Sequence, residues 1–256
     1  MRKSRRGPVG RLSFAAGGQK ICGMNGPVCN PSPMVVGTIH SLGALKCALK
    51  LKPGQVDILE LRVDAFAQDP ETLLRAVPKL QFPLLLTVRH PAEGGGATYT
   101  LQRRRELIGQ FLPLVQWVDF EVRSLGVLKE EIARSQERGV RVIVSDHHFK
   151  GTPSLSVLEE RCERAQRCRP DVVKIAATVS SVLELERLFH FLNQQNAKRP
   201  GQNSVMGMGP FGQVSRLLLG SCGSVLNYGY LDQAQVPGQW PAEVLKARLK
   251  ELEGVR

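Results

Sequence analysis

The sequence predicts an α/β fold, a closed (β/α)8 TIM barrel forming a single domain. Three observations carry this expectation. From Met34 onward, eight short apolar runs alternate with longer stretches of helical periodicity. The runs are apolar almost throughout, as strands buried on both faces are. Their polar residues gather at or just beyond their ends, and in a barrel the carboxyl ends of all strands open onto one mouth. Eight alternations in a chain of 256 residues suit this fold, with 34–256 as the barrel domain. An open, doubly wound parallel sheet is the alternative.

The strand candidates follow turn residues in order. Residues 34–39 follow Pro31 and Pro33, 56–62 follow Pro53-Gly54, and 84–89 follow Pro83. Residues 115–121 follow Pro113, 140–145 follow Gly139, and 172–176 follow Pro170. Residues 204–208 follow Pro200-Gly201, and 224–228 follow Gly220 and Gly223. Helices are expected between them. Asp69-Pro70-Glu71 places a capping residue and then proline ahead of Leu73, Leu74 and Val77. Ser181 and Glu184 form a capping-box pattern before Leu185, Leu188 and Leu192. Pro241 opens a last helix with Leu245, Leu249 and Leu252 on one face. Gly207, Gly209 and Gly212 match a dinucleotide-type glycine spacing, but that match alone carries little weight.

Composition bounds the function classes. At 42% hydrophobic and 23% charged, the chain is ordinary globular material. No apolar run approaches the roughly 20 residues that span a bilayer, so no membrane role is expected. Six cysteines lack a Cys-x-x-Cys pair, which disfavours a zinc site or a disulfide framework and suits reduced cytoplasmic thiols. The net charge of +12 is concentrated in the N-terminal part: nine Lys/Arg precede Asp57 and no acid does. Residues 1–33 read as a basic, disordered extension. A nucleic-acid arm is the other reading, so nucleic acid is not the expected partner.

Lys174 is the most informative residue. It interrupts an apolar strand, where burial of an ammonium favours the neutral, nucleophilic amine. The alternative is a lysine that ends its strand and snorkels to water. His147 follows the fifth strand and has the side chain best suited to moving a proton near neutral pH; a packed or capping histidine is the plainer reading. Glu60 and Arg62 are two apart and share a strand face, either to bind a ligand or as a rim ion pair. Met206 and Met208 are packing residues or a pocket wall. An amine with a nearby imidazole can form an imine with a ketone, remove the adjacent proton and return it to a departing β-hydroxyl. This dehydration needs no metal and no cofactor. Arginines would hold a carboxylate by paired, charge-assisted hydrogen bonds.

These residues also carry a resemblance. Glu60-Leu61-Arg62-Val63-Asp64, Thr87-Val88-Arg89, Ser145-Asp146-His147-His148-Phe149, Val173-Lys174-Ile175-Ala176, Met206-Gly207-Met208-Gly209 leading to Ser215-Arg216, and Pro237-Gly238-Gln239 stand in order on successive strands. The set resembles the type I 3-dehydroquinate dehydratase (3-dehydroquinase) family over about 34–252. The resemblance implies that Lys174 forms an imine with the C3 ketone of 3-dehydroquinate. His147 would then remove a C2 proton and protonate the leaving C1 hydroxyl, giving 3-dehydroshikimate by syn elimination in the shikimate pathway of aromatic amino acid biosynthesis. It further implies that Glu60, Arg62 and Arg89 bind ring hydroxyls, Arg216 the carboxylate, and Gln239 the substrate from a closing loop. Glu93 matches a carboxylate beside the catalytic histidine. Thr38, Met206, Met208 and Tyr228 match the pocket lining. A cytoplasmic homodimer acting on this small molecule is expected.

Two positions depart from the family pattern. Gln235 stands where a hydroxyl residue is usual, which bears on loop closure and affinity. His148 stands where an acidic or amide residue is usual; if charged, it would depress the pKa of His147. A class I aldolase on the same barrel and a non-catalytic barrel with a nucleic-acid arm are the competing function classes.

Overall fold

A computed structural model describes residues 32–253. The reading of 1–33 as a disordered extension lies outside the described residues over 1–31. The strands are β1 (Met34–Ile39), β2 (Ile58–Arg62), β3 (Leu84–Thr87), β4 (Trp117–Glu121), β5 (Arg141–His148), β6 (Val172–Thr178), β7 (Asn203–Met208) and β8 (Leu226–Tyr230). The helices are α1 (Leu42–Ala48), α2 (Glu71–Ala76), α3 (Leu101–Phe111), α4 (Lys129–Glu137), α5 (Leu155–Gln166), α6 (Val182–Lys198), α7 (Gly212–Ser221) and α8 (Ala242–Leu252). All strand pairings are parallel, in the order β7-β6-β5-β4-β3-β2-β1-β8. The β7–β8 seam nearly closes the ring. There Val225 N donates to Asn203 O at 2.9 Å and Ser204 Oγ donates to Leu226 O at 2.7 Å. This is the expected barrel, and the open sheet is set aside.

Two apolar cores hold it. Outward-facing strand residues such as Val118, Phe120, Val173 and Ile175 pack with Leu107, Phe111, Leu158, Leu188 and Leu245 from the helices. Inward-facing Val36, Ile58, Leu85, Trp117, Ile143 and Val172 fill the barrel. Each fully buried side chain of this size contributes about 1.5–3 kcal/mol. The period-two alternation also aims Glu60, Asp119 and Lys174 inward, because each lies two residues from an inward apolar neighbour.

Several boundaries move for local reasons. β5 runs three residues past the expected end at 145, because His147 and His148 pair with Ala176 and Ala177 of β6. β3 stops at Thr87 rather than 89: the Arg89 N–H leaves the ladder and donates to Asp64 Oδ1 at 3.1 Å. β8 starts at Leu226 rather than 224, since the Ser224 hydroxyl bonds to both the N–H and the C=O of Val205. At α2 the N-cap is Pro70 rather than Asp69, although Asp69 Oδ1, one residue earlier, still accepts from Thr72 N at 3.2 Å. The Ser181 box is only half made. Ser181 Oγ accepts from Glu184 N, but the Glu184 carboxylate accepts from Ser180 N at 2.6 Å instead of closing the box. The glycine spacing at 207–212 reflects close packing. A Cβ on Gly207 would meet Ser215, and one on Gly212 would meet the backbone of Gly238.

Candidate active site

At the carboxyl ends of the strands lies a cavity of about 310 Å3. Every expected site residue lines it: Thr38, Glu60, Arg62, Arg89, Glu93, His147, Lys174, Met206, Met208, Arg216, Tyr228, Gln235 and Gln239. Gly94, Phe149, Ala176 and Val236 complete the wall. Among the described residues, no group of three or more His, Cys, Asp or Glu side chains is placed to hold a metal.

Lys174 is only 4% exposed, which overturns the snorkelling alternative. Its Nζ lies 3.9 Å from the centre of the Tyr228 ring and donates to Asp119 Oδ2 at 3.4 Å. Burial lowers the lysine pKa; Asp119 opposes and Arg89 reinforces the shift. Asp119 is a weak restraint because Arg89 already holds both of its oxygens, at 3.0 and 2.8 Å. Arg89 also donates to Ser145 Oγ at 2.7 Å and lies 3.4 Å from Glu121 Oε1. Arg89 is therefore largely committed to protein carboxylates, a different emphasis from the hydroxyl-binding role that the resemblance implies.

His147 and Glu93 form the second unit, with Nδ1 and Oε2 2.9 Å apart. Nε2 is the ring nitrogen left for a ligand. Burial lowers the His147 pKa well below its ordinary value, and the Arg89 and Lys174 charges lower it further. These causes replace the expected influence of His148, whose ring instead lies 2.9 Å from Asp146. Burial raises Glu93 to about 8, against the opposing pull of Arg89. Arg123 approaches Glu93 at 3.3 Å but is 46% exposed, so water weakens its hold. The Phe149 ring stacks beside His147, with centroids 6.3 Å apart and an interplanar angle of 14°.

Glu60 and Arg62 are not an ion pair with one another. Glu60 accepts from the hydroxyls of Thr38 (2.9 Å) and Thr87 (2.8 Å). Arg62 grips Asp64 with two bonds, 3.0 and 2.8 Å long. Arg216 is 2% exposed and donates only to carbonyls, those of Tyr228, Gly207, Gly212 and Gly238. No described carboxylate forms an ion pair with it. Burial lowers its pKa to about 10, so it stays charged near neutrality as an uncompensated cation at the cavity wall.

The sequence reading assigned no role to Asp119 or Glu121. The signal was present: Trp117, Asp119 and Glu121 alternate along β4, and an inward carboxylate on a buried strand requires a cation.

With this geometry in place, the type I 3-dehydroquinase family model matches residues 35–255. The chain belongs to that family. It is 31% identical over 225 residues to the 3-dehydroquinate dehydratase of Thermococcus gammatolerans, covering 86% of this chain and all of that protein. It is 32% identical over 206 residues to the one of Hydrogenobaculum sp., covering 79% of this chain and 91% of that protein. The type I 3-dehydroquinate dehydratase of Clostridium difficile, crystallised with covalently modified comenic acid, superposes with a TM-score of 0.79. That match is 26% identical and covers 88% of this chain and 94% of the other. Among the described residues, no helix is long and apolar enough to cross a membrane.

Proposed function

We propose that this chain is a hydro-lyase that removes water from 3-dehydroquinate to give 3-dehydroshikimate through a Schiff base on Lys174. The reaction belongs to the shikimate pathway. The observation that carries the reading is the pairing in one cavity of a buried, pKa-lowered lysine with Arg216, a buried cation that no described carboxylate pairs. The first suits a ketone and the second a carboxylate, and 3-dehydroquinate has both.

The chemistry follows from the geometry. The neutral Lys174 amine adds to the C3 ketone, and loss of water leaves an iminium whose positive charge lies beside Asp119. That charge acidifies the C2 hydrogens. His147, with Nδ1 held by Glu93, accepts a C2 proton at Nε2. The imidazolium returns the proton to the C1 hydroxyl, which departs as water while the C1–C2 double bond forms. One base acting as both acid and base on one ring face makes the elimination syn. Water then hydrolyses the iminium and frees Lys174. Glu60 and Arg62 serve the ring hydroxyls, with Thr38 and Thr87 orienting Glu60. Arg89 acts mainly through Asp119. Met206, Met208 and Tyr228 keep the amine dry, and Gln235 and Gln239 cover the mouth. Residues 34–256 act as one catalytic barrel domain, in a cytoplasmic homodimer, a state that mass measurement by light scattering would test.

Incubation of the protein with 3-dehydroquinate, followed by ultraviolet absorbance, tests the activity. Appearance of the conjugated enone supports it, and a flat trace refutes it. A class I aldolase on this barrel would instead cleave a phosphosugar, and among the described residues no cluster of free cations at the cavity favours a phosphate.

A further inference from the structure

We propose that a second cavity, walled by the loop after β3, the start of α3 and the turn after β4, binds a small organic carboxylate and, through Arg123, damps the Glu93–His147 pair. The effect on catalysis rests on the proposed function; the binding does not.

This cavity measures about 370 Å3, against about 310 Å3 for the active-site cavity, so it has room for an organic body as well as a charged head. The two cavities share no lining residue. Arg104 and Arg123 line the second one together with His90 and Tyr99, and no acidic side chain does. Leu101 and Val127 supply an apolar wall that is partly open to water, at 39% and 49% exposure. A ligand with an apolar body would cover both.

The polar groups of this cavity are donors left over from other bonds. Arg123 engages the protein through Nε, 3.3 Å from Glu93 Oε1, and its two Nη groups have no described partner. That planar fork matches a carboxylate. Ala92 N donates to His90 Nδ1 at 3.1 Å, so the proton of the neutral ring sits on Nε2, a further donor. The Tyr99 hydroxyl and Arg104 Nε are buried without a described partner, on a tyrosine and an arginine that both line the cavity. Buried donors of this kind call for an acceptor. Charge points the same way. Arg104 is matched by Glu121 at 2.9 Å. Arg123 instead faces Glu93, which burial raises to about 8, so near neutrality this arginine lacks a counter-charge. Burial and then Arg104 lower the His90 pKa; Glu121 opposes the shift and Arg123 adds to it. A carboxylate held by Arg123 brings a negative charge beside Glu93, which then keeps its proton to higher pH. His147 loses its ionised partner, and turnover near neutrality falls.

Benzoate is the probe, with benzamide as its neutral counterpart and inorganic phosphate as the bare anion. In full-length protein carrying isotope-labelled histidine, benzoate should move the His90 imidazole resonance and raise its titration midpoint, the resonance being assigned by its loss in His90→Asn. Arg123→Gln should weaken this response about tenfold. Arg216→Gln, at the active site, should leave it at the wild-type affinity. Benzoate competing at the active site raises only KM, so kcat for 3-dehydroquinate reports the second cavity. With benzoate, kcat should fall about threefold at neutral pH in the wild type and hold steady in Arg123→Gln. An absent His90 response, an equal response to benzamide, tighter binding of phosphate, a response lost in Arg216→Gln, or a wild-type kcat unmoved by benzoate each overturns the proposal. A wild-type protein that forms no enone would refute the function, while the His90 titration still decides the site.

Discussion

Asp119 Oδ2 stands 3.4 Å from the Lys174 amine, while Arg89 holds both oxygens of that carboxylate. The counter-ion nearest the lysine is therefore already shared with a stronger, bidentate partner. Such a carboxylate is close enough to stabilise the iminium cation without holding the resting amine fully protonated. Its own pKa is lowered despite burial, by the charges of Arg89 and Lys174.

Asp119→Asn removes the main group that raises the Lys174 pKa, leaving Glu60 alone to oppose burial and Arg89, which depress it. The pH at which the amine becomes reactive should move down, read as the pH dependence of borohydride trapping. Stability should fall by about 3 kcal/mol, because breaking a buried pair strands the other charge. A trapping profile unmoved by the substitution would count against the role given to Asp119.

Glu93→Gln should alter both stability and rate. The Glu93 pKa is about 8 in the folded protein against an ordinary 4.5. Between those values the folded state keeps a proton that the unfolded state has lost. Stability from this group is thus present below 4.5 and lost as pH rises through about 8. The variant lacks this loss, so its thermal midpoint should gain on wild type across that window. In the wild type, ionised Glu93 accepts from His147 Nδ1–H and leaves Nε2 free as the base, so the rate should climb as pH rises through about 8. The neutral amide of the variant should flatten that limb, and parallel pH–rate curves for the two proteins would contradict this.

Arg216→Gln should raise KM for 3-dehydroquinate about ten- to hundredfold, the worth of a charge-assisted hydrogen bond in a buried site. Arg216→Lys should recover little, because one ammonium cannot replace a guanidinium braced by four carbonyls. Steady-state kinetics read both. A KM within twofold of wild type in Arg216→Gln would place the carboxylate elsewhere.

Tyr228→Phe should stabilise the protein by about 1 kcal/mol, since the Tyr228 hydroxyl is buried without a described partner. The ring beneath Lys174 remains, so activity should hold. Destabilisation in a denaturant melt would indicate an unseen partner for the hydroxyl.

The eight strands were legible because buried parallel strands write themselves as short apolar runs between turn residues. Lys174 and His147 were legible as chemistry in the wrong place, an amine inside one such run and an imidazole at the end of another. Their partners were less so. Asp119 and Glu121 look like ordinary strand polarity until Arg89 meets the first and Arg104 of α3 donates to Glu121 Oε2 at 2.9 Å, each from an element more than a dozen residues away. The hydrogen bond from Arg62 to Gln235 joins residues 173 apart in sequence. The ends of β3, β5 and β8 shifted because side-chain hydrogen bonds and cross-strand register set them, and neither is local.

The most direct test is peptide mass spectrometry after borohydride reduction of the protein turning over 3-dehydroquinate. The account predicts a reduced ligand adduct on the peptide containing Lys174 and none in Lys174→Met. Enone formation without any adduct, or an adduct on a different lysine, would contradict it.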